Sequence, residues 1–147
     1  MTDGGAILYN HVARYQNSRD LELFELLQPG EDGRDVLEKH ERPDLMRYRK
    51  DVFHDKYFRL RPDEPCRTIV AHLCKDGNSF IHPVQTRSIS VREAAALQSF
   101  PDDYVFTGSR GDQFRQIGNA VPPLVAEGIA HAIIRCLESE QRGKAVP

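Results

Sequence analysis

Two adjacent prolines, Pro122 and Pro123, stand directly before a run in which Leu124, Val125, Ile129, Ala130, Ile133, Ile134 and Leu137 recur at helical spacing. Proline fits the first turn of a helix, where the missing amide hydrogen would have no intrahelical partner. The spacing therefore predicts a helix over 123–138, the longest in the chain, with an apolar stripe along one side. Such a stripe is stable in water only if something covers it. Just before it, Gly118 and Asn119 predict a sharp turn that brings backbone amides near the helix N-terminus. That turn suits a polar ligand group or a plain loop.

Upstream, Ser18 is a candidate N-cap for a helix over 19–27 carrying Leu21, Leu23, Phe24 and Leu27, closed by Gln28, Pro29 and Gly30. A second short helix is expected around 35–40, ending before Pro43. Ser90 and Glu93 form a capping-box pattern, so a helix should start there and stop near Phe100, ahead of Pro101. The stretch from Arg67 to Leu73 is rich in β-formers. Lys75, Asp76, Gly77 and Asn78 read as a turn before 79–82, which predicts a hairpin, and 87–89 reads as one more short strand. The expected fold class is thus α+β, with small, mostly antiparallel strands, short helices and a longer C-terminal helix.

Composition narrows the function. The 147 residues carry a net charge of -2, so no global positive field announces a nucleic-acid partner and any such contact must be local. One local stretch qualifies: Arg42, Arg47, Arg49, Lys50, Lys56, Arg59 and Arg61, interleaved with Tyr48, Phe53, Tyr57 and Phe58. Aspartates 44, 51 and 55 dilute it, so a solvated mixed-charge face is the favoured account and phosphate contact the alternative. Three cysteines, Cys66, Cys74 and Cys136, fit neither a disulfide framework nor, with His72 and His82, a zinc pattern. No metal is expected. No apolar run reads as membrane-length and no signal peptide opens the chain, which predicts a soluble, cytoplasmic protein without a membrane partner.

Taken in order, two segments carry a resemblance. Residues 86–104, which include Ser90-Val91-Arg92-Glu93-Ala94-Ala95-Ala96-Leu97-Gln98-Ser99-Phe100-Pro101, resemble the ninth conserved motif of cytosine-5 DNA methyltransferases. Residues 113–123, ending Gln116-Ile117-Gly118-Asn119-Ala120-Val121-Pro122-Pro123, resemble the tenth. Lys56 to Leu60 and Pro65 to Ile69 are similar to the later part of that family's target-recognition domain.

The resemblance implies S-adenosylmethionine as cofactor, with Asn119, Ala120 and Val121 against its amino-acid end. It implies double-stranded DNA as partner, with Thr68 near a phosphate beside the extruded cytosine and Arg67, His72 and Lys75 as neighbours. It makes Arg87, Arg92 and Glu93 a polar brace for the recognition domain. The implied organisation is recognition-domain residues 1–85, a brace at 86–107, the cofactor-side turn and terminal helix at 108–140, and a tail at 141–147. The family's chemistry is thiolate attack on cytosine C6, protonation at N3 by a glutamate, and methyl transfer to C5 of an extruded base. Its nucleophile lies between proline and glutamine, whereas Cys66 lies between Pro65 and Arg67. Neither that site nor the glycine-rich cofactor loop occurs here. The chain is therefore expected to be a C-terminal fragment, or one subunit of a split enzyme, rather than a complete Rossmann-like catalytic domain, and inactive alone. Its expected partner is the N-terminal catalytic portion, with homodimerisation through the bare terminal helix as a further possibility. A stand-alone DNA-binding module descended from a methyltransferase is the competing reading.

Overall fold

A computed structural model of the chain describes residues 8–48 and 56–144. Five α-helices appear among them: α1 Ser18–Leu26, α2 Gly33–His40, α3 Val91–Leu97, α4 Arg110–Asn119 and α5 Pro123–Lys144. Three short 3-10 turns, Pro43–Leu45, Ala71–Cys74 and Gly77–Ser79, fill parts of the connections.

Local signals explain where these helices begin. The Asn17 side chain, one residue before the expected Ser18, accepts from the Asp20 amide at 2.9 Å and caps α1. Asp32 with Asp35, Ser90 with Glu93, and Ser109 with Asp112 each form a reciprocal capping box for α2, α3 and α4. Glu41 closes α2 in a left-handed conformation, φ 53°. At the end of α3, the backbone amides of Gln98, Ser99 and Phe100 all return to carbonyls of the last turn, and Ser99 takes φ 61° ahead of Pro101.

The α+β expectation is not met. No strand forms among the described residues. The ladder elements there are isolated bridges, Arg59 with Ile81 in parallel and Ile81 with Ser88 antiparallel. The predicted hairpin fails because Ala71–Cys74 winds into a 3-10 turn where the first strand was expected to end, and Gly77–Ser79 into another across the expected turn and the start of the second strand. Before them, Val70 is extended at φ -124° and ψ 159°, and Ile69 is buried while Thr68 and Val70 are exposed. Their period of two is thus satisfied against a helical core without a neighbouring strand. Residues 80–82 pair instead with 87–89, through Ile89 N–H to the Phe80 carbonyl at 3.0 Å and His82 N–H to the Arg87 carbonyl at 2.8 Å.

Two apolar clusters make the interior. One gathers Leu23, Phe24, Leu27, Val36, Leu45, Tyr57 and Ile81 under α1 and α2. The larger holds Leu60, Ile69, Leu73, Phe80 and Ile89 together with α3 and α4 residues from Val91 to Ile117. It therefore draws on residues either side of 85 and of 107. The Arg59 guanidinium joins the clusters, donating to the carbonyls of Phe24 (2.5 Å) and His82 (3.1 Å). The N-terminal segment straps the larger cluster: Asn10 exchanges two 3.0 Å hydrogen bonds with the Phe106 backbone, and Gln16 donates to Ser88 Oγ at 2.7 Å.

Helix α5 stands outside both clusters. Every side chain described in it from Leu124 onward is exposed. The stretch Arg110–Gln141 is also long and apolar enough, by length and composition, to cross a membrane, with mean hydropathy 1.4 over its most apolar window. The sequence expectation of no such run is corrected to that extent. The stretch is nevertheless broken between α4 and α5, and Glu127, His131, Arg135 and Glu138 interrupt α5. A helix whose partner is a second protein body has this same composition.

Candidate functional site

Around the Ala71–Cys74 turn, the four candidate DNA-contact residues separate into two groups. Arg67, Thr68 and His72 line one cleft of about 160 Å³, with Lys56 and Asp76 on its wall. Thr68 and His72 are exposed, while Arg67 stacks on the Phe58 ring with its Cζ 3.7 Å from the ring centroid. Lys75 instead faces a neighbouring polar cleft shared with Arg14, Tyr15, Asn17 and Arg47. Of the expected basic-aromatic stretch, residues 49–55 lie outside the described residues. Its described arginines are largely occupied: Arg42 pairs with Glu22 and Asp44, Arg47 with Asp20, and Arg61 with Glu64. Lys56 is buried and pairs with Asp76. That neutralisation favours the mixed-charge account of this stretch.

The brace residues carry a dense polar network. Arg87 grips Glu93 through two bonds of 2.7 and 2.6 Å, and Glu93 also accepts from the Ser90 amide at 2.7 Å. Burial pushes the Glu93 carboxyl up, but the bonds from Arg87 and Ser90 outweigh it and hold the group at about 2. Arg92 is buried and donates to the carbonyls of Tyr9 (3.0 Å), Pro101 (3.0 Å) and Tyr104 (2.5 Å), fastening the loop after α3 to the N-terminal segment. His82 joins this network. Its Nδ1 accepts from the amides of Val84 and Gln85, and its Nε2 lies 3.6 Å from Glu93. Burial, then the Arg87 charge, lowers its pKa, and the two amides at Nδ1 favour the tautomer with its proton on Nε2.

Asn119, Ala120 and Val121 fall at the junction of α4 and α5. The predicted turn is displaced, because Gly118 and Asn119 form the last turn of α4 and the bend falls at Ala120, ahead of Val121 and Pro122. The signal for α4 was present in the Ser109–Asp112 capping pattern and in Phe114 and Ile117 one turn apart. The glycines and Asn119 argued against it. Gly118 serves close packing rather than an unusual φ. A Cβ there would lie 2.3 Å from Ala71 N, so α4 presses its backbone onto the 3-10 turn that carries His72. Gln98 fixes the same junction by donating to the Ile117 carbonyl at 3.0 Å. Its part was not apparent in the sequence, because a lone glutamine after an alanine run carries no capping pattern. The Leu124 amide donates to Ser99 Oγ at 3.2 Å, which ties the start of α5 to the end of α3.

The surroundings of Cys66 disfavour its thiolate. Burial raises its pKa against the nearby Arg67 charge, and its thiol donates to the Arg67 carbonyl at 2.8 Å.

The family model for C-5 cytosine-specific DNA methylases matches residues 9–135. The chain belongs to this family. Among its relatives is the type II methyltransferase M.DdeI of Desulfomicrobium norvegicum, 37% identical over 144 residues, which cover 90% of this chain and 34% of that protein. The putative type II methyltransferase M.OihORF3336P of Oceanobacillus iheyensis is 55% identical over 86 residues, 58% of this chain and 19% of the relative. The type II methyltransferase M.AquIB of Picosynechococcus is 45% identical over 93 residues, 56% of this chain but 65% of the relative. The chain therefore spans about a fifth to a third of the first two of these proteins, whereas the third is itself short.

Proposed function

We propose that this chain is the C-terminal portion of a cytoplasmic DNA cytosine-5 methyltransferase of a restriction-modification system. In this reading it presents part of the surface that recognises double-stranded DNA and supplies the helix that completes the catalytic domain. The observation that carries this is α5, whose six large apolar side chains from Leu124 to Leu137 are each half or more exposed, next to a closed and well-tied body. A stripe of that size, directly after the segment resembling the tenth motif, fits a second protein body that holds the cysteine and the glycine-rich loop. The small share of M.DdeI that aligns, and the brevity of M.AquIB, support a two-part arrangement.

Thr68, with Arg67 and His72, would meet a phosphate near the extruded base, and Lys75 a neighbouring one. The Arg87–Glu93 pair and Arg92 would brace that surface. The junction fits S-adenosylmethionine in part. Asn119 is exposed, and Val121 lies on an open stretch of backbone, so both can reach a carboxylate or ammonium. The Ala120 amide is already committed to the Ile117 carbonyl at 3.2 Å, so this chain would offer one wall of the cofactor site. The cofactor, when bound, supplies the methyl group.

The test is reconstitution. Labelled methyl transfer from S-adenosylmethionine to duplex DNA is measured for the chain alone and for the chain mixed with a catalytic portion from the same genome bearing the glycine-rich loop and the nucleophile. The chain alone should be inactive, and the mixture should co-elute and transfer methyl groups. Transfer by the chain alone, or failure of the two pieces to associate, would overturn the reading. Duplex binding without association would favour the stand-alone module, and self-association on sizing would point to α5 pairing with itself.

A further inference from the structure

Away from the Thr68 cleft, three cations converge on the side of the molecule where the N-terminal strap crosses the start of α4. Arg14 donates to the Leu73 carbonyl at 3.1 Å and lies over the Phe114 ring, 5.0 Å from its centroid. Arg110, the first residue of α4, donates to the Ala13 carbonyl at 3.3 Å, beside it. Lys75 shares the polar cleft with Arg14. Arg34, Arg42, Arg47, Arg61, Arg87 and Arg115 each pair with a carboxylate. Arg14, Lys75 and Arg110 have no such pair among the described residues.

Like charges are not gathered this way for stability. Burial first, and then the Arg110 charge, hold the Arg14 guanidinium below its ordinary value. The carboxylates at hand are already taken: Asp20, which lines the cleft, is bound to Arg47, and Asp76 to Lys56 and to the Tyr48 hydroxyl. Arg110 also sits at the positive end of a ten-residue helix, where a cation is disfavoured and an anion favoured. Arg14 is held tightly in place: a Cβ on Gly77 would lie 2.9 Å from its Cζ, and its Nε is buried without a partner. An anion lying over the strap would offset the repulsion between Arg14 and Arg110 and the unfavourable cation at the start of α4.

We infer that Arg14, Lys75 and Arg110 form a second phosphate-binding site for the DNA backbone, separate from the cleft of Arg67, Thr68 and His72. The inference rests on the DNA-recognition reading above. It adds that the duplex is held at two places flanking the Ala71–Cys74 turn, one near the target nucleotide and one on a backbone segment read by charge alone. Guanidinium and ammonium groups without base-edge geometry position a duplex rather than specify its sequence.

The test uses the full chain and a fluorescein-labelled duplex of random sequence, followed by anisotropy across a salt series. The double variant Arg110→Gln/Lys75→Gln changes exposed side chains, and circular dichroism checks that it folds. Its affinity should fall by roughly tenfold, and the slope of log K against log salt should shrink by about 0.9 for each phosphate that is no longer neutralised. The control Arg34→Gln/Arg42→Gln removes the same charge from paired positions and should leave the slope unchanged. Duplex DNA should also shield Lys75 from acetylation. A double variant with wild-type slope, an equal loss in the control, or unshielded Lys75 overturns this second site and leaves the Thr68 surface standing. Absence of duplex binding by the wild-type chain at low salt overturns both.

Discussion

At the scale of single residues, the most consequential side chain is Glu93, because one carboxylate serves a helix cap and an ion pair together. Its pKa falls from an ordinary 4.5 to about 2, since the Arg87 and Ser90 bonds outweigh the cost of burial. A depressed carboxyl contributes fully above its unfolded pKa and loses that contribution as pH falls through the folded value. Wild-type stability should therefore decline between about 4.5 and about 2, whereas Glu93→Gln should decline less over that window. At neutral pH the variant should be weaker by about 1–3 kcal/mol, as expected for loss of charge-assisted hydrogen bonds. Urea midpoints across pH measure both effects, and parallel pH curves for the two proteins would refute this account. Gly118 gives a prediction of opposite chemistry. Alanine is the better helix former by about 1 kcal/mol, yet its Cβ would lie 2.3 Å from Ala71 N and from Val70 C. Backbone cannot yield as a flexible side chain can, so Gly118→Ala should cost about 3 kcal/mol net. Calorimetry should show Tm lower by roughly 10 °C, and an unchanged or raised Tm would show that α4 does not press on the turn.

At the scale of elements, legibility followed the range of the signal. Helices α1, α2, α3 and α5 could be placed from capping residues, prolines and apolar spacing, all of which act within one or two turns. The segments expected as strands could not, because a strand is completed by whatever lies beside it. Thr68, Ile69 and Val70 have the composition of a strand and its alternation of exposed and buried side chains, but Ile69 packs on α4. The same non-local packing hid α4, which places Gly118 against Ala71 where the sequence suggested only a turn. The candidate site was legible in its residue types and only partly in its grouping. Arg67, Thr68 and His72 meet in one cleft, while Lys75 turns toward Arg14, a residue far upstream in which no sequence signal stood out. Arg14 and Arg110 are each unremarkable in the linear chain and become neighbours only when the strap crosses α4.

At the scale of the whole molecule, the chain separates into a closed body and an open arm. The body runs through Ile117, with both apolar clusters complete within it. The arm is α5, 22 residues and thus roughly 33 Å long. It is tied to the body chiefly by the Leu124 amide to Ser99 Oγ, and a Cβ on Gly128 would meet nothing within 4 Å. A helix with no tertiary cover keeps only its local bonds, which are marginal in water even at this length. Half-burying its six large apolar side chains would be worth on the order of 6 kcal/mol, ample to drive docking and absent until docking occurs. Removing residues 123–147 should therefore leave the body's Tm within about 3 °C of the full chain, a change of no more than about 1 kcal/mol. The same truncation should abolish co-elution with a catalytic portion and any reconstituted methyl transfer. Amides of α5 should exchange with solvent far faster than those of α3 in the free chain, and slow on association. A large cooperative loss of stability on truncation would mean that α5 folds back onto the body, and the arm would then be part of the core rather than the half of an interface.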